Sequence, residues 1–337
     1  MKYSVGYSLI EREKFISAIR AYSNSIVEIY FAWPNMASGR LVYGSDNGCI
    51  DQQALDILEN DLEHFKQMGI KLNLLLNGNC YGDQAISVQF QNHIYSILEH
   101  LENKIGGIDS VTTTSPFIAH IIKEHSSKIE IRASVNMRIG TVEGMKYLSD
   151  FFDGFCMQRE YNRNFEQIKT LKEWADQNGK GLTLLVNSGC LNFCSNQTFH
   201  DNLVSHEAEI SRQQNLSTFN PVMCWRYYSD EKNRLSILKD SNWVRPEDMQ
   251  FYKDQFPVAK LATRLHSNPG KVISAYVKGR YEGNLLDLLE PGMSALFAPE
   301  IIDNPRFPAE WVDQLIKYRT SKDRDTFCPQ VPYRVLV

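Results

Sequence analysis

The chain contains 337 residues, of which 43% are hydrophobic and 23% charged, and its formal net charge is −4 at pH 7. This composition is ordinary for a globular protein and allows one large domain or two. The slight net acidity argues against a nucleic-acid partner. No run of 18 apolar residues occurs, so we expect no membrane span. The first residues lack the apolar core of a signal peptide, so we expect a cytoplasmic protein.

Short apolar runs alternate with stretches of helical periodicity along most of the chain. The predicted strands are residues 3–9, 26–32, 71–76, 110–115, 129–136, 154–158, 182–187 and 258–264. The predicted helices between them are residues 11–22, 52–67, 85–102, 116–125, 141–149, 164–178 and 205–214. In residues 85–102, apolar residues recur at three- and four-residue spacings, which places them in one stripe of a helix.

Eight strand–helix units predict an α/β fold, a (β/α)8 TIM-type barrel with extra C-terminal helices. A doubly wound open sheet is the structural alternative, which periodicity does not exclude. We place the barrel in residues 1–268. Residues 269–337 are predicted to pack on it as two helices, 269–289 and 308–318, followed by a surface tail.

Seven cysteines in a chain of this length do not indicate a disulfide framework, and clustered thiols in the cytosol more often bind metal or react. Two of them, spaced C-x3-C, follow the predicted seventh strand. A third follows the predicted third strand, and a fourth lies in the long irregular segment 215–254. These four residues are Cys80, Cys190, Cys194 and Cys224. The carboxyl ends of barrel strands share one face, where we predict that these thiols meet as metal ligands.

Four thiolates suit a [4Fe–4S] cluster or a structural zinc ion. Zinc usually takes two tight cysteine pairs, and only one pair is tight here, so the dispersed spacing favours the cluster, with zinc as the alternative. Chance placement of the four cysteines is the other interpretation. Cys49 lies in a loop and Cys156 inside a predicted strand, where a thiol is usually a small core residue. Cys328 is the rival of Cys224 for the fourth ligand position.

Charged residues follow or end two predicted strands. Arg159 and Glu160 follow strand six, and Arg264 ends strand eight. A guanidinium group binds a carboxylate through two parallel hydrogen bonds, so an organic acid is a suitable ligand. We assign these three residues to catalysis, with structural ion pairs as the alternative.

Four further residues are assigned to substrate binding. Asn136 and Asn187 end predicted strands, where an amide either binds substrate or caps the next helix. Tyr81 directly follows a candidate ligand. His200 follows the cysteine loop, where a histidine either caps a helix at the surface or serves in acid–base chemistry. The segment 245–248 is predicted to begin a helical turn, with Pro246 at its first position.

Three segments resemble the peptidase U32 family. They are GFCMQREYN, the cysteine loop NSGCLNFCSNQTFHDN, and WVRPEDMQFY followed by FPVAKLATR. The likeness covers most of residues 1–265 in order. It implies a barrel with a four-cysteine [4Fe–4S] cluster. Better-understood relatives are oxygen-independent hydroxylases of ubiquinone precursors, tRNA uridine or ribosomal RNA cytidine, with prephenate implicated as the oxygen source. One early cysteine with a C-x3-C pair is closest to the ubiquinone-pathway branch.

The main hypothesis is therefore a U32-type iron–sulfur enzyme that hydroxylates, or otherwise modifies by redox chemistry, a small molecule or biosynthetic precursor. A thiol- or metal-dependent peptidase is one alternative, although no G-x-S-x-G or H-E-x-x-H motif occurs. Its thiol form would pair Cys194 with His200 or His206. The other alternative is a non-catalytic, cluster-binding subunit that forms a heterodimer with a homologous partner, because U32 relatives work in pairs.

Overall fold

The computed structural model describes residues 1–39, 52–317 and 335–337. Within them, eight parallel strands pair in sequence order and close into a barrel. The strands are β1 (Lys2–Gly6), β2 (Ile26–Ala32), β3 (Lys71–Leu76), β4 (Ser110–Thr113), β5 (Glu130–Ala133), β6 (Gly154–Cys156), β7 (Gly181–Leu185) and β8 (Val258–Leu261). Strands β1 and β8 close the barrel: Lys2 pairs with Val258 at one end of this ladder, and Val5 pairs with Leu261 at the other. The predicted TIM-type barrel is confirmed, and the open-sheet alternative is wrong because no edge strand is left unpaired among these eight.

Helices cover the outside of the barrel. Those in the described residues are α1 (Arg12–Ala21), α2 (Gln52–Gln67), α3 (Val88–Ile105), α4 (Pro116–His125), α5 (Val142–Tyr147), α6 (Phe165–Gln177), α7 (Gln197–Ser205), α8 (Glu207–Ser211), α9 (Met223–Ser229), α10 (Ser236–Lys239), α11 (Pro269–Lys278), α12 (Ser294–Phe297) and α13 (Trp311–Lys317). Packing of α11 against α1 completes the ring next to the β1–β8 seam. None of these helices is both long and apolar enough to cross a membrane.

The third helix shows how local sequence sets an element boundary. It begins at Val88, three residues later than predicted, because Ser87 accepts a hydrogen bond from the backbone N–H of Phe90 (3.1 Å) and caps the helix. Ile86 is therefore outside the helix and 79% exposed. The buried stripe instead runs to Ile105, before Gly106 ends the helix in the left-handed conformation (φ 70°).

The predicted start of the helix at residues 205–214 is wrong. Helix α7 already begins at Gln197, whose backbone N–H donates to the carbonyl of Cys194 (3.0 Å). The chain bends at His206 (φ −117°), and α8 follows as a separate short helix. The cysteine loop is thus shorter than the sequence pattern suggests, and a helix carries the residues that follow it.

The predicted helix at residues 269–289 is also too long. Helix α11 ends at Lys278, because Gly279 takes the left-handed conformation (φ 64°). The chain then forms a 3-10 turn at Leu285–Leu288 before crossing back toward the barrel mouth. The other predicted C-terminal helix, 308–318, corresponds to α13. The predicted tail from residue 320, with Cys328, lies outside the described residues except for 335–337, and so does Cys49.

The interior of the barrel contains an ionic network as well as apolar layers. Glu28 of β2 is 4% exposed and accepts hydrogen bonds from Ser4 (2.6 Å) and Asn73 (3.1 Å). Arg132 of β5 donates to Glu28 and also forms two bonds to Glu130 (2.7 and 2.6 Å). Burial raises the pKa of Glu28, but Arg132 and the hydrogen bonds outweigh it, so the pKa lies below its ordinary value. This network links β1, β2, β3 and β5.

Candidate functional site

A cavity opens where the carboxyl ends of the strands meet, the face at which barrel proteins hold their sites. Its empty volume is about 1030 Å³, which includes space that is open to solvent. Its lining residues are Tyr30, Gly39, Leu75, Asn77, Val135, Asn136, Arg159, Leu185, Ser188, Cys190, Leu191, Cys194, Gln197, His200, Asp201, Val222, Cys224, Lys260, Ala262, Arg264, Glu290, Pro291 and Met293.

Three of the four cysteines predicted as ligands line this cavity. Cys190 and Cys194 lie in the loop between β7 and α7, and Cys224 lies in the first turn of α9. The loop is held from outside, since Asn242 donates to the carbonyl of Cys190 (3.1 Å). The long connection between β7 and β8 thus folds back so that its distant cysteine faces the C-x3-C pair.

The electrostatics of these thiols reflect their proximity. The pKa of Cys224 is raised to about 11, first by burial and then by the neighbouring Cys190 and Cys194. A bound cationic group would reverse this effect, because it favours thiolates. In the part of the chain that the structure describes, no three His, Cys, Asp or Glu side chains surround the position of a single metal ion.

The fourth predicted ligand, Cys80, does not line the cavity. It follows β3 in a loop that docks against α7. There the backbone N–H of Asn79 donates to Ser205 (2.8 Å), and the Asn79 amide donates to Asp201 (3.1 Å). Cys80 is therefore on the mouth side of the barrel but beside the cavity rather than in its wall. Its assignment as a ligand stays a prediction.

Two of the three residues assigned to catalysis reach the cavity. Arg159 is 8% exposed, and its guanidinium group forms no ion pair or hydrogen bond with the described residues, although Glu160 is adjacent in sequence. Arg264 is 6% exposed and donates to Ser38 (3.4 Å). Glu160 is buried outside the cavity wall. The anticipated Arg159–Glu160 ion pair is absent among the described residues.

The residues assigned to substrate binding divide into two pairs. Asn136 and His200 line the cavity, Asn136 from the 3-10 turn Val135–Met137 and His200 from α7. Tyr81 lies outside the cavity wall, where its hydroxyl donates to the carbonyl of Leu76 and its ring packs against Phe90. Asn187 is fully buried and is also absent from the wall.

Asn187 connects three segments of backbone. Its amide nitrogen donates to the carbonyls of Ala262 (2.8 Å) and Leu288 (3.0 Å), and its oxygen accepts from the N–H of Ala262 (2.7 Å). It therefore fixes β8 and the 3-10 turn Leu285–Leu288 to the end of β7. This geometry gives Asn187 a positioning role that neither sequence alternative described.

We expect Asn187→Ala to destabilise the protein by about 2–4 kcal/mol, because it leaves several buried backbone groups without partners at about 1–3 kcal/mol each. Asn187→Asp is the comparison variant: it keeps the acceptor for Ala262 but turns a carboxylate oxygen toward the carbonyls of Ala262 and Leu288, so we expect a loss at least as large. Urea unfolding of both variants measures the loss. Wild-type stability in Asn187→Ala would contradict the role assigned to these hydrogen bonds.

The segment 245–248 forms the predicted turn. Pro246 begins the 3-10 helix Pro246–Phe251, and Arg245 pairs with Asp248 through two bonds (2.8 and 2.6 Å) while both are buried. Glu247 accepts from the backbone N–H of Tyr281 (2.7 Å). The segment is structural, as the sequence suggested.

Sequence reasoning missed several polar residues of the cavity, among them Lys260, Gln197 and Glu290. Lys260 belongs to β8 and shares one face with Ala262 and Arg264, so the two-residue period of a strand could have revealed it once Arg264 was chosen. Gln197 and Glu290 are each more than nine-tenths buried, and their Nε2 and Oε2 atoms have no hydrogen-bond partner. No signal pointed to Glu290, because it lies just beyond a stretch predicted as helix.

The fold and this cavity define the class: a (β/α)8-barrel protein with a cationic, thiol-lined site at the carboxyl ends of its strands. No family model matches the chain. It is 24% identical over 270 residues to the uncharacterized protease MJ1657 of Methanocaldococcus jannaschii, a match that covers 78% of this chain and 75% of that protein. Its fold matches the U32 peptidase Mk0906 with a TM-score of 0.53 at 14% identity, over 78% of this chain and 92% of the other. At this identity the structural likeness shows a common fold.

Proposed function

We propose that the chain is a U32-type [4Fe–4S] protein that carries out a redox modification, in particular an oxygen-independent hydroxylation, of a small organic acid or biosynthetic precursor. One observation carries the proposal: Cys190, Cys194 and Cys224 face the same cavity as the guanidinium groups of Arg159 and Arg264. The U32 barrel and the protease relative agree with the resemblance of the cysteine loop to that family.

The donor set fits a cluster better than a single zinc ion. Each thiolate of a [4Fe–4S] cluster binds its own iron, so the sulfurs lie farther apart than four ligands around one zinc at about 2.3 Å. The three thiols line one cavity, and the wide spacing of the cysteines along the chain favours the cluster over zinc. Cys190, Cys194 and Cys224 would hold the cluster together with Cys80, the predicted ligand that does not line the cavity. When bound, the cluster supplies one-electron transfer.

The other residues of the cavity select and orient the ligand. Arg159, Lys260 and Arg264 bring three positive charges to the wall. Of the two carboxylates there, Asp201 is already paired with Arg138 (3.4 Å), which leaves Glu290. The excess of positive charge favours an anionic ligand, and a guanidinium group can hold a carboxylate through two parallel bonds. Enclosure of these groups strengthens their field by excluding water.

The experiment is anaerobic purification followed by iron and sulfide quantitation and an absorption spectrum. We expect about four irons and about four sulfides per chain with the visible absorption of a cubane cluster. Zinc in place of iron would retain a thiolate site and remove the redox function. A metal-free protein would overturn the cluster proposal.

A peptidase is the second candidate, because the M. jannaschii relative is named a protease and the fold neighbour a U32 peptidase. A thiol peptidase requires Cys194 or another cavity thiol to act with a base such as His200, which lines the same cavity. Cleavage of a peptide library by metal-free protein, abolished by thiol alkylation, would support it. A cluster-loaded protein without turnover would instead favour a subunit that acts with a homologous partner.

A further inference from the structure

The proposed function uses Lys260 only for its positive charge and gives its amine no part in covalent chemistry. Lys260 extends from β8 into the barrel axis, where it borders both the mouth cavity and a smaller interior cavity beside Glu28 and Arg132. Its Nζ lies 4.0 Å from the centroid of the Tyr30 ring. Among the described residues, the Lys260 amine forms no ion pair and no hydrogen bond. A lysine enclosed in this way, without a carboxylate partner, is unusual in a protein interior.

The charges around this amine act in both directions. Burial is the largest influence and lowers the pKa of Lys260 to about 8; Cys156 and Glu28 act to raise it, and Arg264 and Arg132 act to lower it further. The Tyr30 ring, which faces the protonated amine, favours the charged form. At neutral pH about a tenth of the amine is therefore unprotonated, far more than in an exposed lysine with a pKa of about 10.4. Desolvation beside other cations is the setting in which lysines become nucleophiles.

A second group on the same wall can move protons. Glu290 is 8% exposed, and its Oε2 atom has no hydrogen-bond partner. Its backbone is fixed to the end of β7, since its N–H donates to Asn187 (3.0 Å) and its carbonyl accepts from Gly189 (3.2 Å). The carboxylate is thus held at the cavity without being used by the fold.

We propose that Lys260 forms an imine with a carbonyl compound that also carries a carboxylate, a 2-oxo acid being the simplest case. The lysine nitrogen bonds to the carbonyl carbon, and the carbon–oxygen π electrons move to the oxygen. Both protons of the amine reach that oxygen, which leaves as water, and Glu290 carries them between the two atoms. The carboxylate of the ligand binds Arg159 or Arg264. No oxidant or reductant enters this step. The inference rests on the anionic ligand of the proposed function and not on the cluster.

The test uses the anaerobically purified full-length protein with pyruvate as the probe. Sodium cyanoborohydride reduces any imine to a stable secondary amine, and peptide mapping by mass spectrometry locates it. We expect the adduct predominantly on Lys260, at least about tenfold above exposed lysines such as Lys169, whose side chain is 72% exposed. Yield at Lys260 is expected to rise through about pH 8, whereas exposed lysines respond near their ordinary pKa of about 10.4.

Controls separate the possible failures. Lys260→Arg keeps the charge and cannot form the imine, so its adduct should disappear while its iron content stays at the wild-type level. Acetone, which lacks the carboxylate, should label Lys260 more weakly than pyruvate. Equal labelling by both probes would overturn the carboxylate requirement and leave the imine intact. Labelling spread over exposed lysines, or none at Lys260 in folded wild-type protein, would overturn the inference whatever the iron content.

A stability measurement gives an independent readout. Lys260→Met removes a desolvated amine and keeps similar volume, so we expect a higher midpoint of urea unfolding at pH 7 than in wild type. The gain should shrink between about pH 8 and pH 10.5, because the folded wild-type protein has already released this proton there. A lysine kept at such a cost is characteristic of a functional site. A lower midpoint in Lys260→Met would show that the amine stabilises the fold and would overturn the inference of an available nucleophile.

Discussion

Cys190→Ala, Cys194→Ala and Cys224→Ala proteins, each purified anaerobically, are expected to lose nearly all of their iron while keeping the fold. The three thiols face one cavity, and a [4Fe–4S] cluster needs one thiolate per iron. Each substitution removes a proposed ligand that no other cysteine lining the described part of the cavity can replace. Iron and sulfide per chain, measured with the same protocol as for wild type, give the result.

Cys156→Ala is the matched control for these variants. Cys156 ends β6, is 5% exposed, and packs with Leu185 and Ala262 rather than on the wall of the mouth cavity. The same chemical change there should leave the iron content unaltered and reduce stability slightly. Full iron in Cys194→Ala would remove the cluster assignment, provided that wild type contains iron.

Cys80→Ala tests whether Cys80 is a ligand of the proposed cluster. The sequence prediction requires loss of iron, whereas the structure places this thiol beside the cavity instead of in its wall. A full cluster in Cys80→Ala would exclude Cys80 and direct attention to Cys49 and Cys328, which lie outside the described residues. Circular dichroism of every variant separates loss of the cluster from loss of the fold.

The fold could be predicted from the sequence because eight apolar strands recur with helices between them, and parallel strands covered by helices have few stable arrangements. Helix boundaries were harder. Helix α7 has a weak apolar stripe and begins inside the cysteine loop, where a hydrogen bond between Gln197 and Cys194 starts it. Such a bond depends on the folded loop and leaves no periodic signal in the sequence.

The sequence could predict those residues of the candidate site that lie at the carboxyl ends of strands. That rule brought Arg159, Arg264 and Asn136 to the cavity. It failed for Asn187, because its side chain binds nearby backbone instead. Tyr81, which was chosen because it follows Cys80, also binds backbone. Position at a strand end places a residue on the correct face of the barrel and does not say whether backbone groups already occupy its side chain. Glu290 could not be found, because the C-terminal segment reaches the mouth through long-range backbone bonds.

Arg132→Met should destabilise the protein by about 3–5 kcal/mol at pH 7, because it leaves a buried carboxylate without its cation. Arg132 contacts two carboxylates of very different exposure: the side chain of Glu28 is 6% exposed and that of Glu130 is 39% exposed. Glu28 is buried, so loss of the guanidinium leaves its carboxylate with most of the cost of burial. Urea unfolding of the variant measures the difference in free energy.

Glu130→Gln is the control on the same arginine. It breaks the exposed half of the network and leaves Arg132 bonded to Glu28, so we expect a loss of about 1 kcal/mol or less. Comparable losses of unfolding free energy in Glu130→Gln and Arg132→Met would show that the burial of the carboxylate does not determine the energy of losing its ion pair.

The pH dependence of the Arg132→Met deficit follows from Glu28. In wild type its pKa is depressed, so its contribution is present above the unfolded pKa and is lost as the pH falls through the folded value. Without Arg132, burial raises that pKa instead, and the folded variant binds a proton that the unfolded chain has released. The deficit should therefore be largest at neutral pH and should narrow below about pH 4.3, where Glu28 is protonated even in the unfolded chain. A deficit independent of pH would mean that Arg132 stabilises the barrel by packing its side chain and not by compensating the charge of Glu28.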